Sequence, residues 1–300
     1  MERKTTIALL GGDLRQYATA IGLARKGWQV RLWGIEKTNE TEQNIFVCHN
    51  WKEAIHGSTA VILPLPISTD GIILNCPLCK QGIPVSLMDI SSELCSQQLL
   101  IGGKMPPSFC SALETKAIKY VDYYGDENFQ MENAYLTAEA ALGIAMDHLD
   151  QAIKGASFAV VGFGRIAKHL VLLLLKLGAK ITVAARKESD LALAKSLGCS
   201  VIFIHNNSDK NLIALTKGFD VIYNTVPAWL FDRAFLELVD PHTFMIDLAS
   251  APGGFDVCVA KELKSKVLWA TSLPGKYAPK SAGALIGECV NRILTQEVAL

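Results

Sequence analysis

Ser157-Phe-Ala-Val-Val-Gly-Phe-Gly-Arg-Ile-Ala167 decides the fold, because a glycine turn here joins a short apolar run to the start of a helix. Gly162, Gly164 and the small Ala167 match the G-x-G-x-x-G/A fingerprint of a dinucleotide-binding loop. Gly162 permits the tight turn, Gly164 lets a diphosphate approach the backbone, and Ala167 lets helix and strand pack closely. Amide groups at the helix start would then hold the phosphates, whereas the alternative is a glycine turn that binds no ligand. The loop residues predicted to bind the cofactor are Gly162, Phe163, Gly164, Arg165 and Ile166.

The end of the next strand indicates which nicotinamide cofactor binds. An NAD enzyme places an acidic side chain there for the ribose 2′-hydroxyl, but this chain reads Ala184-Ala-Arg-Lys187. A guanidinium can grip a 2′-phosphate with two hydrogen bonds, so Arg186 is predicted to select NADP, with Lys187 in support. NAD remains possible, since Arg165 is compatible with either cofactor and Arg186 could be a solvated loop cation.

Two later strand ends are predicted to meet the nicotinamide half of the cofactor. Tyr223-Asn-Thr-Val-Pro227 follows one of them, and Asp247-Leu-Ala-Ser250 closes the next. Asp247 could equally cap the turn formed by Pro252-Gly-Gly254. The residues predicted to bind the cofactor here are Asn224, Thr225, Val226, Pro227 and Leu248.

The whole chain reads as two successive rounds of strand, glycine-rich turn and helix. In the first round, residues 6–10 lead into Gly11-Gly12 and a helix over residues 14–26, and strands are predicted at 28–33, 60–63 and 83–88. In the second round, strands are predicted at 157–161, 180–184, 201–204, 221–223, 244–247 and 267–270. This rhythm predicts an α/β protein with two Rossmann-like, doubly wound parallel-sheet domains joined by a long helix.

The predicted domains follow from these rounds. Residues 1–132 form an N-terminal flavodoxin- or Rossmann-like domain that binds the substrate or a partner, and residues 133–153 form the connecting helix. Residues 154–280 form the NADP-binding Rossmann domain, and residues 281–300 form a C-terminal helix that packs back towards the hinge. The rigid loops at residues 64–68 and 273–279 are expected to face one cleft.

The first glycine turn is predicted to serve the substrate. The Asp13 carboxylate would repel a diphosphate bound at this turn, so a second dinucleotide site is not expected. Arg15 suits a substrate carboxylate, although it could instead be a helix-surface arginine paired with a neighbour. No general base is evident, because His148 in the joining helix fits a packing or surface role better, and the catalytic residues stay unknown. The residues predicted to bind substrate are Asp13, Arg15, Gln16 and Lys276.

Composition narrows the classes of function. The 29 basic and 29 acidic side chains cancel, so no global field attracts nucleic acid or a membrane. The apolar run at residues 170–175 is too short to span a bilayer, and no secretion signal is evident, so a cytoplasmic protein with reduced cysteines is expected. Cys76-Pro-Leu-Cys79 could be half of a zinc site, but no second pair completes it, and no metal is predicted.

A set of motifs in order along nearly the whole chain resembles the family formed by the A subunits of dipicolinate synthase. The motifs are Gly12-Asp-Leu-Arg-Gln16, Thr137-Ala-Glu-Ala140, Gly162-Phe-Gly-Arg165, Tyr223-Asn-Thr-Val-Pro227, Asp247-Leu-Ala-Ser250, Pro252-Gly-Gly-Phe-Asp256, Leu273-Pro-Gly275 and Ala278-Pro-Lys-Ser-Ala-Gly283. The resemblance implies NADP-dependent oxidation of dihydrodipicolinate to dipicolinate (pyridine-2,6-dicarboxylate) during sporulation, in the mother-cell cytoplasm. It also implies a small dicarboxylate substrate and a partner, the B subunit of dipicolinate synthase; a homo-oligomer is possible as well.

Two other functions stay open at this point. The chain could be a cofactor-binding or scaffolding subunit whose partner supplies the catalytic groups, which the lack of an evident base allows. It could also be a related amino-acid or 2-hydroxy-acid dehydrogenase, since glycine loops and Thr-Ala-Glu helices of this kind occur in those enzymes too.

Overall fold

The computed structural model describes residues 5–35, 42–80, 82–205 and 210–298. The chain divides into two compact units, of which the first comprises Met1–Asn133 with Ala278–Leu300 and the second Ala134–Tyr277. Each unit has one six-stranded parallel sheet with flanking helices, which confirms the predicted α/β fold class. Among the described residues, no helix has both the length and the apolar character needed to cross a bilayer.

The sheet of the first unit has the strand order β3-β2-β1-β4-β5-β6. Its strands are β1 (Thr6–Leu10), β2 (Gln29–Trp33), β3 (Ile45–Val47), β4 (Ala60–Ile62), β5 (Leu99–Gly102) and β6 (Lys119–Asp122). Its helices are α1 (Leu14–Arg25), α2 (Trp51–Ile55), α3 (Leu87–Glu93) and α4 (Pro107–Thr115), followed by α5 (Glu127–His148), which runs on into the second unit. The central strands are apolar on both faces because helices cover both faces of the sheet.

The sheet of the second unit has the equivalent order, β12-β11-β10-β7-β8-β9. Its strands are β7 (Ser157–Val161), β8 (Lys180–Ala185), β9 (Ser200–Phe203), β10 (Val221–Asn224), β11 (Phe244–Asp247) and β12 (Val267–Trp269). Its helices are α6 (Arg165–Lys176), α7 (Glu188–Ser196), α8 (Arg233–Leu238), α9 (Val257–Glu262) and α10 (Leu273–Tyr277). The order reverses between β7 and β10, and ligands of such sheets bind at the carboxyl ends of the strands at this point.

The last helix, α11 (Pro279–Glu297), packs on α1 of the first unit. Thr19 Oγ1 donates a hydrogen bond of 2.9 Å to the Gly283 carbonyl, and a methyl group at residue 283 would lie 2.3 Å from the Arg15 carbonyl oxygen. Ile286, Val290 and other apolar residues of α11 join the core that underlies the sheet. The backbones of the two helices are therefore in direct contact at Gly283, where there is no room for a side chain.

Some predicted elements differ from the structure. The strand predicted at residues 83–88 is wrong, because the Ser86 side chain accepts a hydrogen bond from the Met88 amide and starts α3. Strands β3, β5 and β6 were not predicted. The joining helix begins at Glu127 and ends at His148, six residues earlier at its start than predicted. The predicted loop at residues 273–279 contains α10 and the first residue of α11.

Candidate functional site

The glycine turn after β7 lies against the loop that follows β10. Gly162 has a φ of 92°, and its amide donates a hydrogen bond of 2.8 Å to the Ala184 carbonyl. A Cβ atom added to Gly162 would stand 2.3 Å from Thr225 Oγ1 and 2.9 Å from Val226 Cγ2. Residue 162 must therefore be glycine both for its backbone conformation and for the space that Thr225 occupies.

Helix α6 begins at this turn with its first amide groups uncapped. Gly164 is the N-cap residue, no side chain caps the helix, and no acidic residue lies in the first turn. Gly164 is exposed, and a Cβ atom added there would meet nothing within 4 Å. Open space at an uncapped helix N-terminus is what a bound diphosphate requires, because the helix amides and the helix dipole both favour an anion. The residues present therefore fit a dinucleotide.

The equivalent turn in the first unit is filled by the chain itself. Gly11 donates to the Trp33 carbonyl at 2.9 Å, as Gly162 does to its neighbouring strand, but the next amide, that of Gly12, donates to the Asn75 carbonyl at 2.8 Å. Asp13 then caps α1, and its carboxylate accepts from the Arg15 amide at 2.9 Å. The position held by Gly164 in the second unit is thus held by a carboxylate in the first, which leaves no place for a diphosphate.

Arg186 and Lys187 directly follow β8 and are both exposed. Val161 pairs with Ala184, so the carboxyl end of β8 lies beside the glycine turn. Arg186 forms no hydrogen bond or ion pair with a residue that the structure describes. Lys187 is the N-cap residue of α7, whose first turn holds Glu188 and Asp190. An unpaired guanidinium beside the turn is consistent with the predicted recognition of a 2′-phosphate.

The other loop residues have different surroundings. Phe163 is buried in the core of the second unit, where the Lys168 ammonium lies 5.7 Å from its ring centroid, so only the Phe163 backbone faces the turn. Arg165 and Ile166 form the first turn of α6, with Arg165 exposed and Ile166 partly packed on the core.

Asn224 and Asp247 form a buried pair at the ends of β10 and β11. Asn224 is completely buried, and its Nδ2 donates to Asp247 Oδ1 at 2.8 Å and to the Val226 carbonyl at 3.0 Å. Its Oδ1 accepts from the Val226 amide at 3.1 Å. Both hydrogens of the amide are thus used within the protein and help to shape the loop, and the ribose contact of Asn224 stays a prediction.

Asp247 holds the turn that follows β11. Its carboxylate accepts from the Ala249 amide at 3.1 Å and from the Gly254 amide at 2.7 Å, in addition to Asn224. A Cβ atom at Gly253 would lie 2.8 Å from Asp247 Oδ2, and one at Gly254 would lie 2.2 Å from Asn224 Nδ2. Of the two roles considered for Asp247, the structure shows the capping of this turn.

The remaining residues predicted for this half of the cofactor line the same strand ends. Thr225 Oγ1 donates to the Val161 carbonyl at 2.9 Å, so its oxygen retains acceptor capacity while its hydrogen is used. Leu248 is buried and its amide donates to the Asn224 carbonyl at 2.8 Å. Val226 is half-buried and Pro227 is exposed.

The predicted substrate residues of the first unit are largely paired with one another. Arg15 Nε lies 3.0 Å from Asp13 Oδ1, and Arg15 Nη2 donates to Asp13 Oδ2 at 2.8 Å and to the Leu65 carbonyl at 2.6 Å. Only 8% of Arg15 is exposed, and the Asp13 carboxylate neutralises it, as in the alternative of an arginine paired with a neighbour, so that the binding of a substrate carboxylate by Arg15 stays a prediction. Gln16 is buried and its Nε2 donates to the Ile62 carbonyl at 3.1 Å, whereas its Oε1 has no partner among the described residues.

Two exposed lysines at strand or helix ends are better placed to meet an anion. Lys276, a predicted substrate residue, is exposed in α10. Lys104 was not predicted; it follows β5 in the first unit, and its ammonium lies 4.8 Å from the ring centroid of Tyr124. The signal that could have identified it is the sequence Gly102-Gly-Lys104 after an apolar run, which repeats the strand and glycine-turn pattern.

Cys76 and His148 both make contacts within the protein. The Cys76 thiol donates to the Gly34 carbonyl at 3.4 Å, and burial raises the pKa of Cys76 to about 12, which keeps the thiol protonated. No group of three or more His, Cys, Asp or Glu side chains suited to a metal occurs in the described part of the chain. His148 stacks on Phe244 with ring centroids 4.2 Å apart, and its Nδ1 lies 2.8 Å from the Ile144 carbonyl.

Comparison with known proteins supports a single family. The family model of the N-terminal domain of the dipicolinate synthase A subunit matches residues 6–124. The A subunit of dipicolinate synthase from Bacillus subtilis (strain 168) is 25% identical over 290 residues, which cover 97% of this chain and 96% of that protein. The crystal structure of the corresponding A subunit from Bacillus halodurans matches with a TM-score of 0.86 and 25% identity, over 97% of both chains. The predicted resemblance to this family is therefore confirmed.

A more distant structure shares the fold. Transhydrogenase from Sinorhizobium meliloti matches with a TM-score of 0.68 and 14% identity, over 98% of this chain and 94% of that one. At this level of identity the match shows that the two proteins share a fold.

Proposed function

We propose, from the resemblance to the A subunit of dipicolinate synthase, that this chain is an NADP-dependent dehydrogenase that oxidises dihydrodipicolinate to dipicolinate during sporulation. The second unit would bind the cofactor, and the first would serve the substrate or a partner, the B subunit of the synthase. The observation that carries the proposal is the uncapped N-terminus of α6 at Gly164, open to an anion and flanked by the exposed Arg186.

When bound, the nicotinamide would supply a hydride acceptor, and the substrate ring would also lose a proton to become aromatic. Backbone amides at the start of α6 would hold the diphosphate, and Arg186 would grip the 2′-phosphate. Thr225 and the backbone around Leu248 would line the other half of the site. A dicarboxylate needs cations, and the exposed Lys276 would supply one of them, while Arg15 would position the loop at Leu65 through its hydrogen bond.

Calorimetry followed by a spectrophotometric assay tests the proposal. We expect the purified chain to bind NADP more tightly than NAD, and to form reduced cofactor when dihydrodipicolinate is added. Activity that appears only after a second subunit is supplied would favour the alternative of a cofactor-binding subunit. Reduction of the cofactor with alanine or a 2-hydroxy acid, but with no cyclic imine, would favour the other dehydrogenases. A folded chain that takes up neither nucleotide would exclude all three functions.

Arg186→Ala should weaken the binding of NADP far more than that of NAD. A charge-assisted contact to the 2′-phosphate is worth roughly 1 to 3 kcal/mol, whereas NAD has no phosphate there to lose. Isothermal titration with both cofactors measures the difference, and Arg186→Lys provides a variant that keeps the charge but loses the two-pronged geometry. An equal loss of affinity for NADP and NAD would remove the phosphate role from Arg186.

A further inference from the structure

Asp247 is a buried carboxylate that accepts hydrogen bonds from uncharged donors. Only 2% of the residue is exposed, and none of the described lysines, arginines or histidines forms an ion pair with it. Its three hydrogen-bond partners, the Asn224 side chain and the amides of Ala249 and Gly254, are all donors. Surroundings that offer only donors suit the ionised carboxylate, so a net negative charge is held inside the protein.

The charge lies in the half of the sheet that the adenine end of a dinucleotide does not use. The glycine turn follows β7, and Arg186 follows β8 on one side of it. Asp247 closes β11, on the opposite side of β7 and beyond β10. Because a dinucleotide lies across the carboxyl ends of both halves of such a sheet, the β10 and β11 ends serve the nicotinamide half.

The surrounding strand and loop fix the carboxylate in place. Asn224 holds Oδ1 from the adjacent strand, the Gly253 and Gly254 backbone closes over it, and Trp269 Nε1 donates to the Ala249 carbonyl at 2.9 Å. A charge that is held in one position and shielded from water interacts strongly with charge that arrives nearby, because little water can screen it.

We propose that Asp247 makes the cofactor site select the oxidised nicotinamide over the reduced one. The oxidised ring carries a positive charge and the reduced ring carries none, so a fixed anion at the end of β11 favours the oxidised form. The inference rests on the proposed function, because it needs a nicotinamide dinucleotide in this site. It assigns Asp247 a role in specificity in addition to the capping of the turn.

The test compares the binding of three probes: NADP, NADPH and adenosine 2′,5′-bisphosphate, which lacks the nicotinamide. The wild-type chain should bind NADP more tightly than NADPH. In Asp247→Asn, the preference for the oxidised form should fall by about tenfold, the effect of one partly screened charge pair. Binding of adenosine 2′,5′-bisphosphate should stay unchanged, since its contacts lie on the β7 and β8 side. Isothermal titration gives all three constants without any turnover.

Two variants separate charge from structure. Asn224→Asp combined with Asp247→Asn returns a carboxylate to the buried pair and should restore most of the preference. Asp232→Asn makes the same chemical change at the N-cap of α8, where Asp232 accepts from the Phe235 amide, and should leave both the helix cap and the preference unchanged, because asparagine caps helices as well as aspartate does.

The outcomes distinguish the inference from the function on which it rests. Equal weakening of NADP and NADPH in Asp247→Asn would show that Asp247 only shapes the loop, and would overturn the inference while leaving the dehydrogenase in place. Should Asp247→Asn fail to fold, the wild-type constants decide, because tighter binding of NADPH than of NADP contradicts the inference directly. A wild-type chain that binds none of the three probes would overturn both.

Discussion

Replacing Gly164 with aspartate is expected to weaken NADP binding strongly while leaving the chain folded. Gly164 has the ordinary extended conformation of an N-cap residue, with φ −80° and ψ −166°, and has open space where a side chain would go. An aspartate there would cap α6 as Asp13 caps α1, which should stabilise the helix by roughly a few tenths of a kcal/mol. The same carboxylate would meet the diphosphate, and juxtaposed like charges cost several kcal/mol, so the dissociation constant should rise by about 100-fold or more.

Titration calorimetry and thermal unfolding together measure these opposite effects. Gly164→Asn is the matched control, because it also caps the helix but brings no charge, and its loss of affinity should be much smaller. An aspartate variant that is more stable than wild type and yet binds NADP normally would place the diphosphate elsewhere and would contradict the proposed site.

Gly283→Ala is expected to destabilise the first unit by about 3 kcal/mol. The added methyl group would lie 2.3 Å from the Arg15 carbonyl oxygen and 2.5 Å from Ala18 Cβ, both parts of α1. Neither atom belongs to the end of a flexible side chain, so α1 and α11 must move apart, which also strains the hydrogen bond from Thr19 to residue 283. Urea unfolding followed by circular dichroism measures the change in the free energy of unfolding.

Gly22→Ala is the matched control on the partner helix. Gly22 also lies within α1, but a methyl group there would meet nothing within 4 Å. The same substitution should therefore stabilise the chain by about 0.5 to 1 kcal/mol, because alanine is the better helix former. Equal destabilisation by both substitutions would mean that the close contact at residue 283 does not determine the effect.

The fold could be predicted where a buried strand forms a continuous apolar run. Residues 157–161 and 244–247 were predicted as strands with the bounds that the structure shows. β6 could not be predicted in this way, because an edge strand reading Lys-Tyr-Val-Asp has no such run. The strand predicted at residues 83–88 is wrong because its buried apolar side chains belong to a loop and to the start of α3. Periodicity alone does not distinguish such a segment from a strand.

The site could be predicted only as far as local sequence determines it. The glycine turn and the cations after β8 follow from a motif and its spacing, so the sequence locates them on the fold. The neutralisation of Arg15 by Asp13, and the use of both Asn224 amide hydrogens within the protein, depend on side-chain directions and on partners up to 50 residues away. Residue type indicates that a group can bind a ligand, but it does not show whether a neighbour already occupies it.

The contact of α11 with α1 has a consequence for synthesis on the ribosome. The first unit is built from both ends of the chain, so α1 emerges early but gains its partner helix only after more than 250 further residues have been made. The second unit is continuous and can complete its sheet while the last helix is still in the exit tunnel. We therefore expect the first unit to complete its fold after the second unit, although its synthesis starts earlier. Until α11 is made, the apolar face of α1 that contacts this helix stays accessible to chaperones.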